Sequence, residues 1–236
     1  MSKSDLMQHL ARLAELRDTY DVEEGDILAF VRDYERAHDT LTPDENGVCL
    51  ATIVLCYKHV SVYWRGKPYL YRLTAIPDEA MATLGADTLA DLWVAVAGYA
   101  KMVSDYVTAL SCYEKAYTYR ADEDTFYQMV VVNKLLNERY TPPYTREEIK
   151  ARFPRQGERI LRAADGLGYL KVDPVEHTPH FQAVFDRVHE RMLERLAVEG
   201  NLKMALQQWH ILAELYREEG IEWRTPATMN PRVRFD

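Results

Sequence analysis

The chain lacks the short signatures by which local sequence announces catalysis. No Gly-rich phosphate loop, no GxSxG elbow and no HExxH pair occurs in its 236 residues, so the usual markers of nucleotide, serine-hydrolase and zinc-peptidase chemistry are missing. Cysteine is scarce. Cys49, Cys56 and Cys112 show no CxxC spacing, which excludes a disulfide framework or a thiolate metal knuckle of ordinary pattern. Cys112 as a nucleophile would need a paired His that the sequence does not supply. Long uncharged apolar runs are absent too. The most apolar stretch, GVCLATIVLCYKHVSVYW, is interrupted by Lys58 and His59 and reads as a buried helix rather than a membrane span. The N-terminal MSKSDLMQHLARLAELRD is charged and amphipathic, unlike the apolar core of a secretion leader. Positive charge is in deficit, 29 Lys and Arg against 37 Asp and Glu, for a net −8. That balance argues against whole-surface affinity for nucleic acid or anionic membrane. The expected setting is the cytoplasm, with no cofactor, no metal site, no membrane contact and no assigned catalytic residue.

What is present is helical periodicity. Ten Gly and ten Pro fall mostly between periodic stretches, and the pattern predicts an all-α protein of about ten helices in antiparallel hairpins. The first helix is expected to start at Ser4 as N-cap, with Leu6, Leu10, Leu13 and Leu16 on one face. TLTPDENG reads as a loop, residues 48–64 as the central core helix, and RGKPYLYRLTAIPDE as an extended connector. Pro142 and Pro143 mark a boundary between an N-terminal region, 1–141, and a C-terminal region, 142–236, that either separate there or pack as one domain. The tail after Gly220 is expected to be extended, with Trp223 and Phe235 docking it on the body.

MVSDYVTALSCYEKAY, residues 102–117, carries the most specific pattern. Two helices approach closely when small residues sit where their backbones cross, bulky ones fill the gaps and a tight turn reverses the chain. Residues 90–123 place Trp93 and Ala97 in the first helix, Ser104, Asp105 and Tyr106 at the turn, and Ala109, Tyr113 and Ala116 in the second. This unit resembles the tetratricopeptide repeat, a helical pair of about 34 residues. Ser104 stands where that family has Gly, Ala100 replaces an aromatic residue, and Ala121 replaces the closing Pro. A weaker copy is placed at 186–219, with Gly200, Asn201 and Leu202 as turn, Ala205 as small contact and Trp209 as aromatic; a fainter echo lies in Gly25, Asp26, Tyr34 and Ala37. The resemblance implies a diverged, TPR-like helical protein that binds a protein or peptide without catalysis. Lys101, Asn133 and Lys134, read as surface-facing, together with Tyr127, are the candidate partner contacts.

Two alternatives come from other stretches. YTREEIKARFPRQGERILRAADGLGYLKVD, 144–173, resembles a winged helix with two short helices running into a strand, and Arg152, Arg155, Arg159 and Arg162 would meet phosphates in a DNA-binding regulator. RDYERAH places Arg32, Asp33 and His38 as in HEPN-type ribonucleases, where Arg steadies a phosphate and His moves a proton. That spacing is also common on ordinary helices, so it ranks third. Glu176, His177 and His180 offer two imidazoles without a thiolate or an evident further ligand, and read as capping and surface residues.

Overall fold

Three hydroxyl residues, Ser2, Thr42 and Thr145, each have an acidic residue three positions on, and each opens a helix through a reciprocal capping box. The structure, a computed structural model, describes residues 2–199 and 205–235. Among the described residues it is all-α, with no strand. In chain order the helices are α1 (Lys3–Asp18), α2 (Glu24–Ala37), α3 (Pro43–Tyr57), α4 (Lys67–Thr74), α5 (Ala86–Met102), α6 (Tyr106–Tyr119), α7 (Glu123–Leu136), α8 (Arg146–Arg152), α9 (Gly157–Ala164), α10 (Pro179–Glu199), α11 (Ala205–Glu218) and α12 (Pro226–Met229). Short 3-10 turns lie at His38–Thr40, Tyr63–Gly66, Asp78–Leu84 and Pro174–His177. No single helix among the described residues is long and apolar enough to cross a membrane.

The caps account for two departures from expectation. α1 is capped two residues earlier than Ser4, because Ser2 Oγ accepts from Asp5 N at 3.2 Å while Asp5 Oδ2 accepts from Ser2 N at 2.9 Å. Ser4 has Met7 three residues on, which cannot reciprocate. TLTPDENG is not a loop throughout: Thr42 caps with Glu45, Pro43 takes the first helical position, and α3 runs on to Tyr57 rather than Trp64. A third departure is α4, where an extended connector was expected. Pro68 sits in the first turn, where its missing N–H removes no helical bond. Leu70 and Leu73, three apart, are fully buried, while Tyr71 faces out. The apparent alternation of Tyr69, Tyr71 and Leu73 fitted either period.

The chain divides into two units: Met1–Val103 with Thr108–Thr125, and Ser104–Val107 with Phe126–Asp236. In the first, α3 is the central element and packs against α1, α2, α4 and α5. Its buried side chains, from Cys49 to Tyr57, face nearly every direction, as a helix surrounded on most sides requires. All three cysteines are buried and free, and burial pushes the Cys49 and Cys56 thiols up to about 12. In the second unit α8 packs on α9 and α10 on α11. The last pair is joined by an ion ladder: Arg187 to Glu219 at 2.6 Å, Arg191 to Glu218 and Glu219, and Arg195 to Glu214 and Glu218 at 2.8 and 2.9 Å.

Candidate partner-binding face

The signature residues of the hairpin all turn inward. Trp93, Ala97, Ala109 and Ala116 are fully buried, and Tyr106 and Tyr113 nearly so. Lys115 of α6 lies over the Trp93 ring of α5, 4.3 Å from its centroid, and Arg120 clasps Asp91 near the start of α5 at 2.5 Å. The turn between them is made by Ser104 at φ +57°, a left-handed conformation that costs a non-glycine residue about 1–2 kcal/mol. Serine has a second use there. Its hydroxyl donates to Glu176 Oε2 at 2.8 Å, and the Trp223 indole donates to the other oxygen at 2.9 Å. Burial raises the Glu176 carboxyl above its ordinary range, and these two bonds offset that only in part. Asp173 is also buried, which opposes its charge, but hydrogen bonds from Arg224 and the Val175 amide prevail and hold it below the usual value. Together Glu176 and Asp173 pin the tail through Trp223 and Arg224, so the tail docks as expected, although it carries α12 and is not wholly extended.

The weaker copy fares differently. Its turn, Gly200, Asn201 and Leu202, lies outside the described residues. Ala205 is exposed at the start of α11; the α10–α11 pair packs through buried Phe181 stacked on Tyr216, 4.6 Å between centroids, with the arginine–glutamate ladder outside. Trp209 is half-buried, edge-on to Phe235 at 5.1 Å. In the first unit, Gly25 and Asp26 open α2, and Tyr34 and Ala37 are buried on it.

Of the candidate contacts, none is a free surface side chain. Lys101 is half-buried, and burial holds its ammonium below the usual lysine range. Asn133 donates to Met129 O at 3.0 Å. Lys134 is buried, its ammonium spent on the carbonyls of Glu138 and Tyr140 just past the end of α7. Tyr127 is buried and donates weakly to Gly168 O at 3.5 Å. Lys134 and Tyr127 nevertheless line two clefts in the second unit. One, of about 350 Å³, is bordered by Lys134, Leu135, Leu167, Tyr169, Val172 and Met229. The other, of about 280 Å³, is bordered by Tyr127, Arg159, Arg162 and Gly168.

The segment shared by both clefts is the loop 165–172. It leaves α9 through a Schellman turn: Gly166, at φ +78°, donates to Ala163 O, and Leu167 N donates to Arg162 O at 2.7 Å. Gly168 is again left-handed, at φ +83°. Asn230 then holds Lys171 from both sides, accepting from its N–H and donating to its carbonyl, each at 2.8 Å. These are the two groups a strand partner would use. With two left-handed glycines ahead of them, the expected winged-helix strand does not form. On this tethered loop Leu167 is 58% exposed and Leu170 50%. A Schellman turn often buries an apolar contact between the residue at Leu167's position and the one at Arg162's. Here the latter is arginine, and the leucine stays out in solvent. Neither leucine was singled out from sequence; the glycine spacing in DGLGYL was the available signal.

Arg152, Arg155, Arg159 and Arg162 are all exposed on or between α8 and α9. The Arg152 guanidinium lies 4.5 Å from the Tyr144 ring centroid and that of Arg159 4.3 Å from Tyr127's. The ribonuclease-like residues do not converge: His38 meets the Glu35 carbonyl and Asp39, Asp33 meets His9, and Arg32 points to solvent. Glu176 and His177 are committed to separate partners, His177 Nε2 to Leu135 O at 3.0 Å, while His180 is exposed. Among the described residues no group of three His, Cys, Asp or Glu side chains is placed to hold a metal ion. No family model, curated protein or solved structure matches the chain.

Proposed function

We propose that this chain is a non-catalytic binding protein that presents the 165–172 loop of its second unit to another protein or peptide, with the α5–α6 pair as a diverged tetratricopeptide-like scaffold element. One observation carries the reading: two leucines are held in solvent on a loop fixed by a Schellman turn and by Asn230. Exposed leucines on a flexible loop would mean little. On a pinned loop they form a preorganised apolar surface, which lowers the ordering cost of association. A cytoplasmic setting accords with three free thiols buried away from oxidants.

The nucleic-acid alternative keeps its four exposed arginines but lacks the strand that would form a wing. Capture from a lysate of the native host tests the reading. Proteins recovered by the wild-type chain should be lost with the double variant Leu167→Asp, Leu170→Asp. Recovery of the same proteins by the variant sinks it.

A further inference from the structure

Several arginines of the second unit are spent on ion pairs. Arg146 is paired with Asp165, Arg187, Arg191 and Arg195 with glutamates of α11 and the residue after it, and Arg224 with Asp173. Arg159 and Arg162 form no ion pair among the described residues. Arg159 meets only the Gln156 side-chain oxygen, at 3.1 Å, and the face of Tyr127. Arg162 lies along Gly168: a Cβ built on that glycine would stand 3.6 Å from Arg162 Nε. Both border the cleft of about 280 Å³, and Gly168 lies between the exposed Leu167 and Leu170 in the chain. In a protein of net charge −8, two guanidiniums without ion pairs border a cleft whose Gly168 adjoins the exposed Leu167 and lies two residues before the exposed Leu170.

From that surface we infer that the partner segment is acidic and leucine-bearing, its carboxylates received by Arg159 and Arg162 and its apolar side chains laid on Leu167 and Leu170. This rests on the docking role proposed above and names the chemistry of the occupant. Guanidinium planes bind carboxylates in a fork geometry that a lysine cannot reproduce, and Tyr127 holds one plane in place in advance. A nucleic-acid strand fits less well. Bases stack on open aromatic faces, and here the Tyr127 and Tyr144 faces are already covered by arginine.

The test uses the full chain and a dye-labelled synthetic peptide in which Leu-Leu pairs alternate with Asp-Glu pairs, read by fluorescence anisotropy across a salt series. Binding should weaken as salt rises and fall by about tenfold or more in the double variant Arg159→Glu, Arg162→Glu. Serine in place of the peptide leucines should weaken it as well. Both arginines are exposed and carry no ion pair, so the variant should keep its helical circular dichroism. No binding of the acidic peptide overturns the inference. So does equal binding of a peptide with Lys for each acid, or indifference to the charge reversal. An arginine-dependent shift of a DNA or RNA strand with the peptide silent overturns it in favour of nucleic acid. In the lysate capture, loss with the leucine variant but not with the arginine variant leaves the docking site standing and removes only the acidic partner. Loss with neither removes the docking site itself.

Discussion

The α5–α6 hairpin and the 165–172 loop are built on opposite logic. In the hairpin, small and aromatic residues recur at helical spacing because they face inward: Ala97, Ala109, Ala116 and Trp93 are all fully buried. In the loop, two left-handed glycines and an asparagine clamp set the backbone, and the leucines are left outside. The hairpin spends its specific residues on its own stability, and the loop spends its geometry on exposure. A pattern that is conspicuous in a sequence is therefore weak evidence about what a partner touches, since packing is what makes patterns regular.

The largest effect should come from the hairpin. Trp93→Ala removes a fully buried indole and should cost about 3–5 kcal/mol in urea unfolding, and Ala97→Leu, by forcing bulk into a fully buried position, about 1–3 kcal/mol. If Trp93→Ala cost less than the exposed loop substitutions described below, the division between scaffold and presented face would fail.

The all-α class and most helix positions were legible because periodicity and caps are local. α10 and the hairpin are the clearest cases, each with apolar residues at three- and four-residue spacing. α4 was hidden because four apolar residues in five satisfy two periods at once, and only the neighbours of Leu70 and Leu73 decide between them. Lys134 was misplaced because a lysine normally seeks water; its burial depends on two carbonyls freed by the end of α7. The candidate face was less legible still. Leu167 and Leu170 read as the start of a strand, and what prevents the strand is Asn230, 59 residues away from Lys171 in sequence.

Smaller in size is the effect of Glu176→Gln, which probes the buried carboxyl that meets Ser104 and Trp223 within the second unit. The folded carboxyl binds its proton more tightly than an unfolded one of ordinary value 4.5. Its contribution is therefore most favourable when protonated and declines as pH rises from that ordinary value through the raised one. Glutamine is isosteric and uncharged, and it can still meet Trp223 and Ser104. The stability difference should thus move in favour of Glu176→Gln between acid and neutral pH, as read by urea melts at each pH. A difference that moves toward wild type instead would show that the two donors favour the charged form beyond what burial takes away, and that Ser104 accepts its left-handed backbone to hold an anion.

The smallest effect is the most discriminating. Leu167→Ser and Leu170→Ser, singly and together, should shift stability by no more than about 0.5 kcal/mol each, as expected for exposed side chains, since the cap bond that Leu167 makes comes from its backbone N–H and is kept. The glycines beside them make a built-in contrast, because a side chain at Gly166 or Gly168 must adopt φ near +80° and should destabilise by about 1–2 kcal/mol. If the serine variants keep the wild-type unfolding curve while partner capture is lost, the leucines serve association alone. If they unfold the second unit as the glycine variants do, Leu167 and Leu170 belong to its packing, and the loop differs from the hairpin only in being less well buried.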